Sequence, residues 1–200
     1  MDANRSRTRF EDPALARRIA EVSRWLLEVY RLELALEAAR FLLAPEAARA
    51  LLPPDAPRSG VVLQEDGGDV WLGLYLDPQD RDDSATILEE TSHLLCIAWH
   101  ATQERSVSKL VLELQADVDR YVFGRLYGGN PLGHFSQFEW LVAAEDAERE
   151  SYEVAHHAAR RYCEKLSRRY PERADIPGLL SELRYFYRAG PDDKLRAGRA

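Results

Sequence analysis

Glu89 and His93 stand four residues apart in the run Ile87-Leu88-Glu89-Glu90-Thr91-Ser92-His93-Leu94-Leu95. On a helix that spacing sets a carboxylate and an imidazole on one face, one turn apart, where both can reach a common point. Cys96 and His100 extend the stripe, while Leu88, Leu94, Leu95, Ile97 and Trp99 fill the remaining sides. These are side-chain types that hold divalent metals. Further along, Lys109-Leu110-Val111-Leu112-Glu113-Leu114-Gln115-Ala116-Asp117-Val118-Asp119 embeds Glu113 among aliphatic neighbours and places Asp117 one turn on. Two antiparallel helices would bring Glu89, His93, Glu113 and Asp117 together. Burying an unpaired carboxylate costs roughly several kcal/mol, so such a cluster requires a metal, a proton or hydrogen-bond partners.

The arrangement resembles the gluzincin zinc peptidases, thermolysin-like enzymes included, whose signature is His-Glu-x-x-His followed on a later helix by Glu-x-x-x-Asp. The matching stretch here is Glu89-Glu90-Thr91-Ser92-His93, then nineteen residues, then Glu113-Leu114-Gln115-Ala116-Asp117. The resemblance implies that His93 and Glu113 are metal ligands, that Glu90 is the general base, and that Asp117 orients the first ligand from the second shell. The first ligand departs from the pattern, being Glu89 rather than histidine. A Glu-His-Glu set is harder and more negative than the usual zinc set, which admits iron or manganese beside zinc. A second carboxylate also weakens the Lewis acidity that peptidase chemistry uses, so catalysis is expected to be impaired. About thirty residues carry this likeness. The stretch is similar, too, to uncharacterised bacterial proteins with Glu-x-x-Ser-His and a Leu-Glu-Leu-Gln-Ala-acidic-Val-Asp run, a pattern in which Glu90 has no counterpart.

Two other accounts compete. Glu90-Thr91-Ser92-His93 and Glu153-Val154-Ala155-His156 are both Glu-x-x-His motifs, which with Glu113 and one of Glu21, Glu28, Glu33 or Glu37 resembles the ligand order of ferritin-like di-iron bundles. Alternatively Glu89, His93, Glu113 and Asp117 form a satisfied polar network, with an arginine such as Arg120, in a non-enzymatic interaction or scaffold protein. Cys96 reads as a buried thiol. His156 and His157, amid many charges, read as structural. His134, in a glycine-rich loop, reads either as a mobile donor near a pocket or as a residue packing beside Phe138 and Trp140.

The elements that must position these residues are mostly helical. Asp12-Pro13 is an N-cap with proline at the first helical position, and Leu15, Ile19, Val22, Leu26, Val29 and Leu36 recur at helical steps, predicting a helix to about Leu43. Pro45 opens a short second piece that ends at the prolines from Pro53. Val61–Gln64 and Val70–Leu76 flank Gly67-Gly68 and predict a β-hairpin over about 60–76. Such a hairpin is marginal alone and must pack on a helix, gain strands, or pair with another subunit; Trp71 and Tyr75 share the face that would pack. Helices are expected from Asp82, Asp83 or Ser84 to about Ala101, from about Val107 to Leu126, from Ser136 to about Arg168, and from about Pro177 to Arg188. The fold class expected is mainly α: a multi-helix bundle with one β-hairpin inserted after the first long helix. Residues 1–11 are expected to be a flexible N-terminal segment, 12–189 a single domain, and 190–200 a frayed polar tail.

Composition narrows function further. In 200 residues, 46% apolar and 30% charged composition fits one globular domain. A formal charge of −7 disfavours nucleic acid and anionic lipid as partners. Cys96 and Cys163 are the only cysteines and lack Cys-x-x-Cys spacing, and no run has the length of a signal peptide or membrane span, so a cytoplasmic protein with reduced thiols is expected. Trp25, Tyr30 and Phe41, and Tyr185-Phe186-Tyr187, read as core or interface residues; Tyr185–Arg188 is a candidate surface for a protein partner or homodimer, and the hairpin edge could hold an extended peptide.

Overall fold

The computed structural model describes residues 12–53, 56–66, 69–136 and 146–198. Within them lie seven α-helices and one two-stranded antiparallel sheet: α1 Pro13–Tyr30, α2 Pro45–Leu51, β1 Gly60–Asp66, β2 Asp69–Tyr75, α3 Ser84–Thr102, α4 Lys109–Tyr127, α5 Asp146–Arg169, α6 Ile176–Arg188 and α7 Pro191–Ala197. The expected helical bundle with one hairpin is what forms. The expected flexible segment at 1–11, the glycine turn of the hairpin, Phe138 and Trp140 lie outside the described residues.

Asp12 caps α1 by accepting from Leu15 N at 3.0 Å, and Leu15, Ile19, Leu26, Val29 and Tyr30 face inward. The helix stops at Tyr30, well short of Leu43. Arg31 adopts a left-handed conformation with φ 49°, and its amide returns to the carbonyls of Leu27 and Glu28. The reason is visible in Arg31-Leu32-Glu33-Leu34-Ala35-Leu36-Glu37, whose apolar residues alternate with a period of two. That period suits extended chain: Leu32 is buried while Glu33, Ala35 and Glu37 are exposed. Arg184 and Arg188 of α6 complete the stop, donating to the carbonyls of Val29, Tyr30 and Arg31 at 2.8–2.9 Å, where the negative end of the helix dipole favours cations.

The hairpin pairs Gly60 with Tyr75 through Asp66 with Asp69. It solves its marginal stability by packing on α3 and by a bridge from Leu42 to Leu74, where Leu43 N donates to Leu74 O at 2.9 Å. Tyr75 is buried with Leu43, Ala48 and Val62, and Trp71 packs against that group. Gly73 lies between the two rings' positions; a Cβ there would meet Leu43 Cδ1 at 2.6 Å and Trp71 Cη2 at 2.8 Å.

Helix α3 begins at Asp83, whose carboxylate accepts from the amides of Ala85 and Thr86. Helix α4 begins at Ser108 and ends at Gly128, with φ 82°. The two run antiparallel and pack together, and α4 packs against α5 on another side. The largest core joins the inner faces of α1, α3, α4, α5 and α6 around Leu95, Val118, Tyr121, Leu166 and Leu183. Where a frayed tail was expected, residues 191–197 form α7, which begins with Pro191 at its first turn and Asp192 and Asp193 beside it, and which buries Lys194. Among the described residues no helix is long and apolar enough to cross a membrane.

Candidate metal centre

The antiparallel register of α3 and α4 sets Glu89 opposite Arg120 and His93 opposite Glu113. One ligand atom each from Glu89, His93 and Glu113 lies within 4.8 Å of the others. His93 Nε2 stands 3.8 Å from Glu113 Oε1, is buried, and has no hydrogen-bond partner. Two ligands at about 2.1 Å from one ion are at most about 4.2 Å apart, so this imidazole and carboxylate already meet that limit. A Glu-His-Glu group of this kind could hold a metal ion.

Glu90 points inward and is buried, with Oε2 3.4 Å from His93 Nδ1. Its carboxylate is thus set to hold one ring nitrogen while the other faces Glu113, as carboxylates do behind histidine ligands. Asp117 accepts from His156 Nδ1 at 2.9 Å, lies 3.9 Å from Arg120 Nη1 and 3.9 Å from His134 Nε2, and so reaches Glu89 only through Arg120. Arg120 binds Glu89 Oε2 closely. Glu89, Glu90 and Glu113 thus gather about the guanidinium of Arg120 and the imidazole of His93, while Asp117 is taken up by His156 and Arg120; a divalent cation among the three glutamates would offset the cost of burying them.

The environment moves the titrations accordingly. Burial pushes Glu113 up to about 7, and it raises Glu89 too, with Arg120 opposing the rise. Burial works against charge on His93, yet the carboxylates of Glu90, Glu113 and Glu89 outweigh it and raise the imidazole to about 9. Burial lowers His134 to about 4, which leaves it neutral at physiological pH. Both cysteines are free and buried; burial lifts Cys96 to about 11 and Cys163 well above its ordinary value, so neither supplies a thiolate. Cys96 and His100 pair with each other at 3.6 Å rather than joining the three ligands.

Of the di-iron pattern, Glu90, His93 and Glu113 meet here, and the other residues do not join them. His156 is bound to Asp117, His157 is exposed, and Glu153 belongs to no metal-capable group among the described residues. Glu21 and Glu28 are on the exposed side of α1, and Glu33 and Glu37 lie beyond its end, also exposed.

The opposite face of the same helix pair carries a network that sequence reasoning missed. Asp119 is buried and accepts from the Tyr30 hydroxyl, from Ser92 Oγ at 2.5 Å and from Gln115 Nε2 at 2.9 Å. Gln115 Oε1 accepts from Lys194 Nζ at 2.7 Å, and that ammonium lies 4.6 Å from the Phe186 ring centroid. Gln115 and Asp119, four apart, were a legible half of it; Lys194 had no sequence signal beyond the helix start at Pro191. No protein-family model, curated protein or solved structure matches this chain.

Proposed function

We propose that the protein is a metal-binding, hydrolase-like protein of gluzincin type in which Glu89, His93 and Glu113 hold one divalent cation, zinc, iron or manganese, and in which peptidase chemistry is impaired. The observation that supports this most is the buried, partnerless Nε2 of His93 facing Glu113. A buried imidazole nitrogen without a partner costs about 1–3 kcal/mol, and a cation that displaces the proton from Nε2 and takes up its lone pair removes that cost. A bound cation would supply polarisation of a substrate carbonyl. Glu90 holds Nδ1 and keeps the ring aimed, Arg120 steadies Glu89, and Asp117 steadies Arg120. Impairment follows from two features: a carboxylate replaces a neutral ligand at position 89, and Glu90, the residue in the place of the base, is engaged with His93.

Elemental analysis of the purified protein tests this. About one divalent ion per chain is expected, falling below a tenth in His93→Ala and in Glu113→Gln. A wild-type protein that takes up no zinc, iron or manganese from supplemented buffer, and whose melting is indifferent to chelator, removes the proposal.

One contact favours a second reading, a scaffold with a satisfied polar core: the close pairing of Arg120 with Glu89. Tyr185, 76% exposed on α6, would then belong to a partner surface. On that reading Arg120→Leu unfolds the protein and His93→Ala weakens folding with no change in metal content. On the metal reading Arg120→Leu stays folded and still takes up about one divalent ion per chain, more weakly than wild type because Glu89 loses the group that steadies it.

A further inference from the structure

Beside the metal-capable cluster runs an open groove of about 560 Å³, walled by α1, the first turns of α3, the last turns of α4 and the loop after it. That is within the roughly 300–1,000 Å³ usual for small-molecule sites. Its apolar lining is Val22, Trp25, Leu88, Phe123 and Tyr127. The three aromatic rings brace one another, Trp25 to Phe123 at 5.5 Å edge-on and Phe123 to Tyr127 at 4.8 Å, yet Phe123 is 43% and Tyr127 64% exposed. Gly124 lets the loop close in, since a Cβ there would stand 2.9 Å from Pro131 Cα. Rigid, solvent-facing aromatic surface next to a polar site is a binding feature rather than core.

The polar groups of the groove settle the charge of what fits. The Arg18 guanidinium is occupied by the carbonyls of Arg81 at 2.7 Å and Asp82 at 3.1 Å and by Ser84 Oγ at 3.0 Å. Arg120 is occupied by Glu89 and Asp117. Glu21 at the rim repels anions. Asn130 adds a neutral amide whose Oδ1 accepts from Leu132 N at 3.3 Å, and His134 Nε2 is buried and without a hydrogen-bond partner, on a ring that stays neutral. Arg120 and His134 line the groove and also touch Glu89 and Asp117 respectively, so the groove and the cluster share a wall.

We propose that this groove binds an uncharged ligand bearing an aromatic or branched apolar group, with its polar end at His134 and directed toward Glu89, His93 and Glu113. As a binding site it stands on the groove alone; as the substrate subsite of a hydrolase-like protein it rests on the metal reading.

Fluorescence titration of the full chain with N-phenyl-1-naphthylamine, a neutral aromatic probe, tests the assignment. One site per chain is expected, with a dissociation constant of about 100 μM or tighter, the scale a ligand of that size reaches in an apolar pocket. Tyr127→Ser with Phe123→Ser, and separately Ala85→Trp, which fills the groove from an exposed helical position, should each weaken binding at least tenfold with circular dichroism unchanged. The sulfonated analogue, 8-anilinonaphthalene-1-sulfonate, should bind at least tenfold more weakly. Probe affinity should be the same in His93→Ala, and metal content the same in Tyr127→Ser, so loss of either reading leaves the other measurable. Full probe affinity in both groove variants, equal affinity for the anion, or a dimer that Tyr127→Ser splits into monomers would overturn the proposal, the last by assigning the groove to a second copy of the chain.

Discussion

Helices α3 and α4 bury carboxylates on two faces, and the faces solve the problem differently. Behind, Asp119 receives three hydrogen bonds and is linked through Gln115 to the buried ammonium of Lys194. In front, Glu89, Glu90 and Glu113 gather around an imidazole whose inner nitrogen makes no hydrogen bond and stands 3.8 Å from Glu113. Ser92 and His93 are adjacent in the chain, about 100° apart around the helix, and Ser92 joins Asp119 while His93 meets Glu113. Polar burial as such therefore does not mark function. A completed network holds helices together; an incomplete one is where a ligand has something to add.

The largest expected effect comes from breaking the completed face. Asp119→Ala strands Lys194 with no compensating carboxylate and should cost about 3–5 kcal/mol in urea unfolding. Lys194→Met should cost less than Asp119→Ala, and the double variant less than the two costs added, because the second change removes a charge that the first has left unbalanced. Additive losses would separate the two residues and dissolve the contrast.

The front face should respond to ligand as well as to truncation. At a metal concentration of a hundred times the dissociation constant, wild type gains about 2.7 kcal/mol of stability and His93→Ala gains none. In chelator the same variant should also be less stable than wild type, since it loses the imidazolium that Glu90, Glu113 and Glu89 hold, so the metal-dependent gain is the part that separates the two proteins. Calorimetry with and without zinc or manganese reads both.

Proton linkage sharpens the comparison from the rear face. Burial lowers Lys194 to about 8 from an ordinary 10.5, with Cys96 and Asp119 partly offsetting the drop. Between those values the unfolded chain holds a proton that the folded one has released, so stability contributed at this site rises as pH climbs from about 8 toward 10.5. Cys96 and Tyr187, which also border the ammonium, titrate higher when folded and act in the opposite direction. The difference in urea midpoint between wild type and Lys194→Met, followed from pH 7.5 to 10, isolates the lysine; a difference flat with pH would show that the ammonium is not desolvated. Smallest of all, Tyr185→Ser, at an exposed position on neither face, should change stability by no more than about 0.5 kcal/mol.

Much of the fold was legible because local signals agreed. Asp12-Pro13 was read as a cap and α1 starts there; Asp83 is the one of three candidate caps that α3 uses, and α4, expected from about Val107, starts within two residues of it behind Ser108. The hairpin was legible from two β-prone runs around glycine. The end of α1 was missed because Leu36 satisfies both a helical and an alternating pattern; the intervening leucines decide, and they alternate. The helix at Pro191 was missed because its polar composition outweighed a proline and two acids at its start. In the candidate site, Glu89, His93 and Glu113 share a point because i, i+4 spacing is a property of one helix and the register of α3 on α4 supplies the rest. The neighbours of Glu90 and Asp117 depend on which rotamer faces which helix, and His156 reaches Asp117 from α5, a contact between residues thirty-nine apart that no local pattern encodes.

The clamp of Arg184 and Arg188 on the end of α1 has a consequence in time. Arg184 follows Val29 by 155 residues. At about 5–20 residues per second of synthesis, roughly 8 to 30 seconds pass between the emergence of those carbonyls and of the guanidiniums that bind them. During that interval the end of the first helix has only water for company, and a ribosome-held chain halted before α6 should be cut there by protease far faster than one halted after it.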